Sequence, residues 1–146
     1  MRISTKGRYG LRVMLELSLR EGHGPVMMSA IAENQDLSRK YLHNLLTSLK
    51  AAGLVRSVRG AGGGYVLARP PAKILVSDVV RALEGSFSPV DCIDDSTLCT
   101  RSSACVTREV WQKLGTAMEE VLSSITVEYL ANLQKERNTD HLMYYI

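Results

Sequence analysis

Residues 38–53, SRKYLHNLLTSLKAAG, run directly into residues 54–68, LVRSVRGAGGGYVLA. In the first stretch Tyr41 or Leu42, then Leu45, Leu46 and Leu49, recur at three- and four-residue intervals, the spacing of one helical face. Ser38 stands where an N-cap belongs, and Gly53 where a left-handed C′ residue ends a helix. The second stretch holds two short apolar runs, LVRSV and YVLA, around the glycine-rich RGAGGG, which predicts a β-hairpin.

On the N-terminal side, residues 28–34 predict a short helix, with Met28 or Ser29 near its start and Ile31 and Ala32 facing inward. The turn Asn34-Gln35-Asp36 joins it to the helix that follows Ser38, which makes a helix-turn-helix. Ser4 is placed to cap a first helix with a stripe of Leu11, Val13, Met14, Leu15 and Leu19, and Glu21-Gly22-His23-Gly24-Pro25 breaks it. Three helices followed by a hairpin is the winged-helix order. Pro70-Pro71 closes the unit.

On the C-terminal side, residues 76–85 predict a fourth helix with Ser77 near its start. A polar, cysteine-bearing loop over 86–106 follows, and loops of that length inside a compact domain usually serve a function. One long helix is then expected over 107–137, because Val110, Trp111, Leu114, Met118, Val121 and Leu122 begin a repeat that continues through Ile125, Tyr129, Leu130 and Leu133. Such a helix spans about 45 Å, more than a small domain covers alone, so a homodimer through it is expected. The tail TDHLMYYI, 139–146, is apolar at its end and is expected to dock on the dimer or to fray. The expected fold is therefore mostly α with a small β-hairpin. It divides into a winged helix-turn-helix over 1–73 and, over 74–146, a linker helix, the cysteine loop and a long dimerisation helix.

Charge divides at the same place. Residues 1–73 hold twelve Lys/Arg and four Asp/Glu, a net of +8; residues 74–146 hold six and eleven, a net of −5; together they give the chain's +3. The basic half favours a polyanion, and double-stranded DNA is the expected partner. Lys6, Arg8 and Arg12 lie near the start of the first helix, the wrong end for the macrodipole, which argues for a role outside helix stability. Arg2, Lys6 and Arg8 join the expected DNA-binding set. On the recognition helix and its first turn that set comprises Ser38, Arg39, Lys40, Tyr41, His43 and Asn44; Arg and Asn suit base edges, while Ser, Lys and the helix N-terminus suit phosphates. In the wing Arg56, Arg59, Gly60 and Gly62 complete it, with Arg59 at the tip suited to a minor groove.

RGAGGGY has no Gly-Lys-Ser/Thr ending and does not open a helix, so it lacks the parts of a nucleotide-binding loop. No nucleophile has an evident base partner, so an enzyme is not expected. No apolar run reaches membrane-spanning length and no signal peptide precedes the first helix, so a cytoplasmic protein without membrane contact is expected.

The chain's three cysteines, Cys92, Cys99 and Cys105, lie in one C-x6-C-x5-C segment. An odd number argues against a disulfide framework. Three chemistries stay open on the residues alone: an iron–sulfur cluster, a zinc site completed by a fourth ligand, and a bare thiol switch activated by Arg101 and Arg108. A redox module or a structural zinc-bound interaction domain would use the same residues.

MRISTKGRYG, SRKYLHNLL, GLVRSVRGAGGGYVLAR, VSDVVRALEG and the three-cysteine loop leading to Trp111 together closely resemble the Rrf-two family of bacterial regulators, and its IscR type in particular. The resemblance covers roughly 1–135. It implies a homodimeric winged-helix transcription regulator, in the repressor role, on a palindromic operator. It also implies a 2Fe–2S or 4Fe–4S cluster on Cys92, Cys99 and Cys105, with Arg59 as the wing arginine. Some members carry no cluster and respond to thiol state or metabolites. The chain departs from the IscR pattern where a histidine ligand is expected: Arg108 stands there and cannot ligate iron while charged. The spacing between the first two cysteines is one residue longer. In relatives that sense nitric oxide the fourth ligand is an acid near the N-terminus, where this chain has Arg8 and no acid before Glu16. Asp91, Asp94, Asp95 and Glu109 are the nearby oxygen donors left as candidates.

Overall fold

The computed structural model describes residues 2–144, so the last two residues of the apolar tail lie outside the described residues. Helices α1 (Thr5–Leu19), α2 (Met28–Gln35) and α3 (Arg39–Ala51) lead into a hairpin of β1 (Val55–Val58) and β2 (Gly64–Leu67), followed by α4 (Val76–Glu84). A single turn, α5 (Asp91–Asp94), lies in the cysteine segment, and α6 (Val106–Ser123) and α7 (Val127–Met143) complete the chain.

The local signals act as their chemistry dictates. Ser4 Oγ accepts from the N–H groups of Lys6 and Gly7 at 3.1 and 3.4 Å, and Ser38 Oγ accepts from Tyr41 N–H at 3.1 Å, so both caps form. Gly53, at φ 71°, ends α3 in the left-handed region where a side chain is strained. The strands pair antiparallel from Val55 with Leu67 to Val58 with Gly64. Val26 adds a bridge on the outer side of β2, exchanging bonds with Tyr65 of 2.9 and 2.8 Å. This close approach fixes Gly64, whose Cβ would lie 2.3 Å from the Val26 carbonyl oxygen.

The core sits inside the winged helix. Val13, Met14 and Leu17 of α1 meet Ile31 of α2, Leu42, Leu45, Leu46 and Leu49 of α3, and Leu54, Val55 and Leu67 of the hairpin. Ile74, Val79 and Leu83 close it from the α4 side. At about 25 cal/mol per Å² of apolar area, this burial is the main force holding the unit together.

Ser77 is near the start of α4, as expected, at its second position; Leu75 holds the cap position, the Asp78 carboxylate accepts its N–H at 3.0 Å, and Ser77 is buried with its hydroxyl bonded to Ser123 at 2.9 Å. One expectation is corrected. The single helix expected over 107–137 is two helices. At 124–126 the backbone leaves helical geometry and pairs with the strand-like segment before α4: Val76 N–H donates to Ile125 O and Val127 N–H to Ile74 O, both at 2.9 Å. Thr126 then caps α7 by accepting from Tyr129 N–H at 3.0 Å. The break lets α7 fold back along α1, put Val127 into the main core and bury Ala131.

α6 keeps a looser position. Met118 and Leu122 touch a satellite cluster of Val76, Val80 and Phe87. Arg81 pairs with Glu119 and stacks over the Phe87 ring, 4.7 Å from its centroid. No residue of α6 is buried.

Candidate functional site

The basic half presents its charges on two helix starts and the wing. Arg39, Lys40, His43 and Asn44 are exposed on the outer face of α3, opposite the leucines, and Ser38 is exposed at its cap. Arg2, Lys6 and Arg8 are exposed at the start of α1. The two starts are joined through Tyr9 and Tyr41, whose rings meet edge to face with centroids 6.3 Å apart. Tyr41 is thus half-buried, and its hydroxyl lies buried without a hydrogen-bond partner. The Arg8 and Arg12 guanidiniums lie 5.9 and 5.1 Å from the Tyr9 ring centroid. In the wing Arg56, Arg59, Gly60 and Gly62 are exposed, and Gly63 N–H closes the tip by donating to Gly60 O at 3.0 Å. Lys50 is drawn aside to Ser57 Oγ at 2.9 Å. The expected DNA-binding residues other than Tyr41 therefore sit on accessible surface of one compact unit.

Glu84 is a contact that sequence reasoning missed. Its Oε1 accepts from Ser4 N–H at 2.9 Å, Ser4 Oγ–H at 2.5 Å and Gly7 N–H at 3.0 Å. This carboxylate on the last residue of α4 satisfies free donors at the start of α1, where the helix dipole favours an anion. The glycines of α1 make room for the contact: a Cβ on Gly7 would lie 2.4 Å from Glu84 Oε1, and one on Gly10 would lie 2.0 Å from Leu83 Cδ1. α4 is therefore clamped to the element that carries Lys6 and Arg8.

The cysteine segment starts one residue after that clamp and ends at α6. Cys92 lies in α5, Cys99 follows a 3₁₀ turn over Ser96–Leu98, and Cys105 occupies the N-cap position of α6. All three are half-buried free thiols. Asp94 accepts from Ser88 at 2.6 Å and Ser86 at 2.9 Å, and these hydroxyls, Ser88 foremost, hold its carboxyl below the usual range. The Thr97 hydroxyl and N–H do the same for Asp95, at 2.6 and 2.9 Å. Asp91 and Glu109 are exposed. Arg108 donates from Nε to the Cys92 carbonyl at 3.1 Å, tying the first turn of α6 back across the segment. The Cys105 thiol is held below its ordinary value, mainly by the Thr107 hydroxyl 3.1 Å away, then by the Arg108 N–H and, more weakly, by the Arg108 charge.

Three thiolates have the donor chemistry of iron–sulfur ligands. As folded they do not converge: among the described residues no three His, Cys, Asp or Glu side chains gather into a metal-holding group. The donor types fit a cluster, and this conformation of the loop does not. Among the described residues no helix is long and apolar enough to cross a membrane.

A family described as an iron-dependent transcriptional regulator, Rrf2, matches residues 3–133. The chain belongs to the Rrf2 family. CymR of Bacillus subtilis, an HTH-type transcriptional regulator, is 42% identical over 144 residues, with 99% of each chain covered. IscR of Photorhabdus laumondii is 38% identical over 135 residues, covering 92% of this chain and 82% of that one. Among solved structures, CymR, the global cysteine regulator of B. subtilis, superposes with a TM-score of 0.75 at 44% identity, covering 91% of this chain and 98% of that chain. IscR of T. potens superposes with a TM-score of 0.77 at 43% identity, covering 94% and 90%. This Rrf2 protein is a DNA-binding transcriptional regulator and not an enzyme. The winged-helix fold expected from residues 38–68 is the fold observed.

Proposed function

We propose that this Rrf2 regulator binds a palindromic operator as a homodimer, and that the state of its cysteine segment sets the affinity. The observation that carries this reading is the placement of the segment. It leaves α4, which Glu84 clamps to the basic start of α1, and enters α6, whose apolar side chains Val110 and Val121 are 57% and 60% exposed. A second copy of the chain supplies the apolar cover that α6 lacks, and a symmetric pair of winged helices matches the symmetry of a palindrome. On DNA, the exposed face of α3 enters the major groove and Arg59 reaches past it from the wing.

An iron–sulfur cluster on Cys92, Cys99 and Cys105 is the first reading of the sensing chemistry, supported by the thiolate donor set and the likeness to IscR. Such a cluster supplies redox- and oxygen-sensitive chemistry. The chain's own part is to bring the three half-buried thiols together, which requires the segment between Phe87 and Val106 to re-form and Arg108 to release the Cys92 carbonyl. The candidates for the fourth ligand are Asp91, Asp94, Asp95 and Glu109, or an exchangeable ligand from outside the chain, since a charged guanidinium at Arg108 offers no lone pair. The second reading is a thiol switch without a cluster. The separation of the thiols, the hydroxyl and cation beside Cys105 and the likeness to a cysteine regulator favour it.

Metal and acid-labile sulfide analysis of anaerobically purified protein separates these readings, together with binding to a duplex selected from random-sequence DNA. Under the first, the wild type carries iron and sulfide, Cys99→Ala carries neither, and operator affinity changes about tenfold between them, a difference of roughly 1.4 kcal/mol. Protein free of iron and sulfide whose affinity still changes on thiol oxidation establishes the second. Zinc without sulfide, or affinity indifferent to both treatments, overturns the proposal.

A further inference from the structure

α1 and α7 lie side by side, and an open groove runs between them, bordered at one end by the last turn of α2. It has two adjoining chambers of about 430 and 260 Å³ that share Arg12, Leu15 and Gln134. The first lies within the general range of small-molecule sites, roughly 300–1,000 Å³, and the second adjoins it just below that range. Leu11 and Leu15 of α1 face Leu130 and Leu133 of α7 across the second chamber. Arg8, Arg12 and Arg137 line the same chamber, and Arg20 lines the far end of the first.

None of these four guanidiniums has a carboxylate partner, since the ion pairs among the described residues are Arg69–Asp78 and Arg81–Glu119. The one acid in the groove, Glu16, is 7% exposed, and neutral amides take both its oxygens: Asn34 Nδ2 and Gln35 Nε2, each at 2.7 Å. Gln35 in turn accepts from Arg12 Nε at 2.8 Å. This chain of bonds orients the Arg12 side chain from behind and leaves its terminal nitrogens for a ligand. The groove is therefore preorganised, cationic at its lip and aliphatic on its walls. It is separate from the cysteine segment and shares only Arg8 with the proposed DNA-binding residues, and the ligand contacts tested below do not use Arg8.

We propose that this groove binds a small organic anion with an aliphatic body. The anionic head lies between Arg12 and Arg137, where planar donors suit a carboxylate. The body lies along the four leucines. A DNA phosphodiester would meet the arginines but gains nothing from leucine walls, so a small amphipathic anion fits better.

The probe is octanoate, titrated into ¹⁵N-labelled full-length protein and followed by amide shifts, with octanamide and inorganic phosphate as comparison arms. Expected are saturable shifts at Leu15, Leu133 and Gln134, with octanamide and phosphate each binding about tenfold or more weakly, since each lacks one half of the recognition. Arg12→Gln/Arg137→Gln weakens octanoate by about tenfold or more. Because Arg12 also bonds Gln35, the single variant Arg137→Glu, on an exposed site, repeats the test with the fold intact. Three outcomes overturn the site: octanoate shifts confined to α6, octanamide binding as tightly as octanoate, or unchanged octanoate binding by Arg137→Glu.

Discussion

α3 and α6 show the same apolar repeat of threes and fours, yet Leu42, Leu45, Leu46 and Leu49 of the 13-residue α3 are all 1% exposed or less, while the 18-residue α6 buries no residue. α3 is surrounded by α1, α2, α4 and the hairpin of its own chain. α6 rests on α4 and the satellite cluster by one edge and leaves Val106, Val110, Trp111 and Val121 in solvent. Helical periodicity thus reports that an apolar face exists; whether the same chain covers it is a tertiary fact. The helix that carries the proposed DNA contacts has its apolar face covered within the chain. The helix that follows the cysteine segment does not, and the proposed homodimer is what would cover it.

The contrast breaks most visibly in the core. Leu46→Ala is expected to cost about 2–5 kcal/mol, because a buried leucine is lost and the packed site cannot fully collapse. Urea unfolding measures it, and a loss below about 1 kcal/mol would mean that α3 is not packed as described. On α6, Val110→Asp sharpens the comparison from the other side. An exposed substitution leaves monomer stability within about 0.5 kcal/mol. A charge at the centre of the proposed dimer face is expected to weaken self-association by about ten- to a hundredfold, which sedimentation equilibrium reads directly. A variant that dimerises as tightly as wild type moves the interface elsewhere.

The same contrast marks what could be read from sequence. The caps at Ser4 and Ser38, the end of α3 at Gly53 and the hairpin around residues 60–63 are short-range chemistry, and each is where its residues place it. The break between α6 and α7 was hidden because the apolar repeat runs through it, from Leu122 to Ile125 to Tyr129. What stops the helix is pairing with Ile74 and Val76, some fifty residues earlier, reinforced by a Thr126 cap that looks ordinary in a helical pattern. The cysteines were legible as donors; that the three do not gather into one group among the described residues was not, and neither were the local partners that Asp94, Asp95 and Arg108 take. The groove between α1 and α7 was invisible for the same reason as the break, because α7 reaches α1 only by folding back.

Glu84 tests whether the two regions are mechanically joined. Its carboxylate serves three donors at the start of α1, and Gly7 leaves it room. Glu84→Gln keeps an acceptor oxygen but removes the charge at the helix N-terminus. The expected cost is about 1 kcal/mol, or a fall in Tm of about 3 °C, since charge-assisted bonds exceed neutral ones and the dipole term is lost. Glu84→Ala removes every bond and is expected to lose more. If the clamp also positions Lys6 and Arg8, Glu84→Gln lowers operator affinity without changing dimerisation, and the loss persists at temperatures where the protein is fully folded. A variant that melts lower but binds the operator as wild type does would make Glu84 a brace for the fold alone, leaving the α1–α4 contact no part in transmission from the cysteine segment.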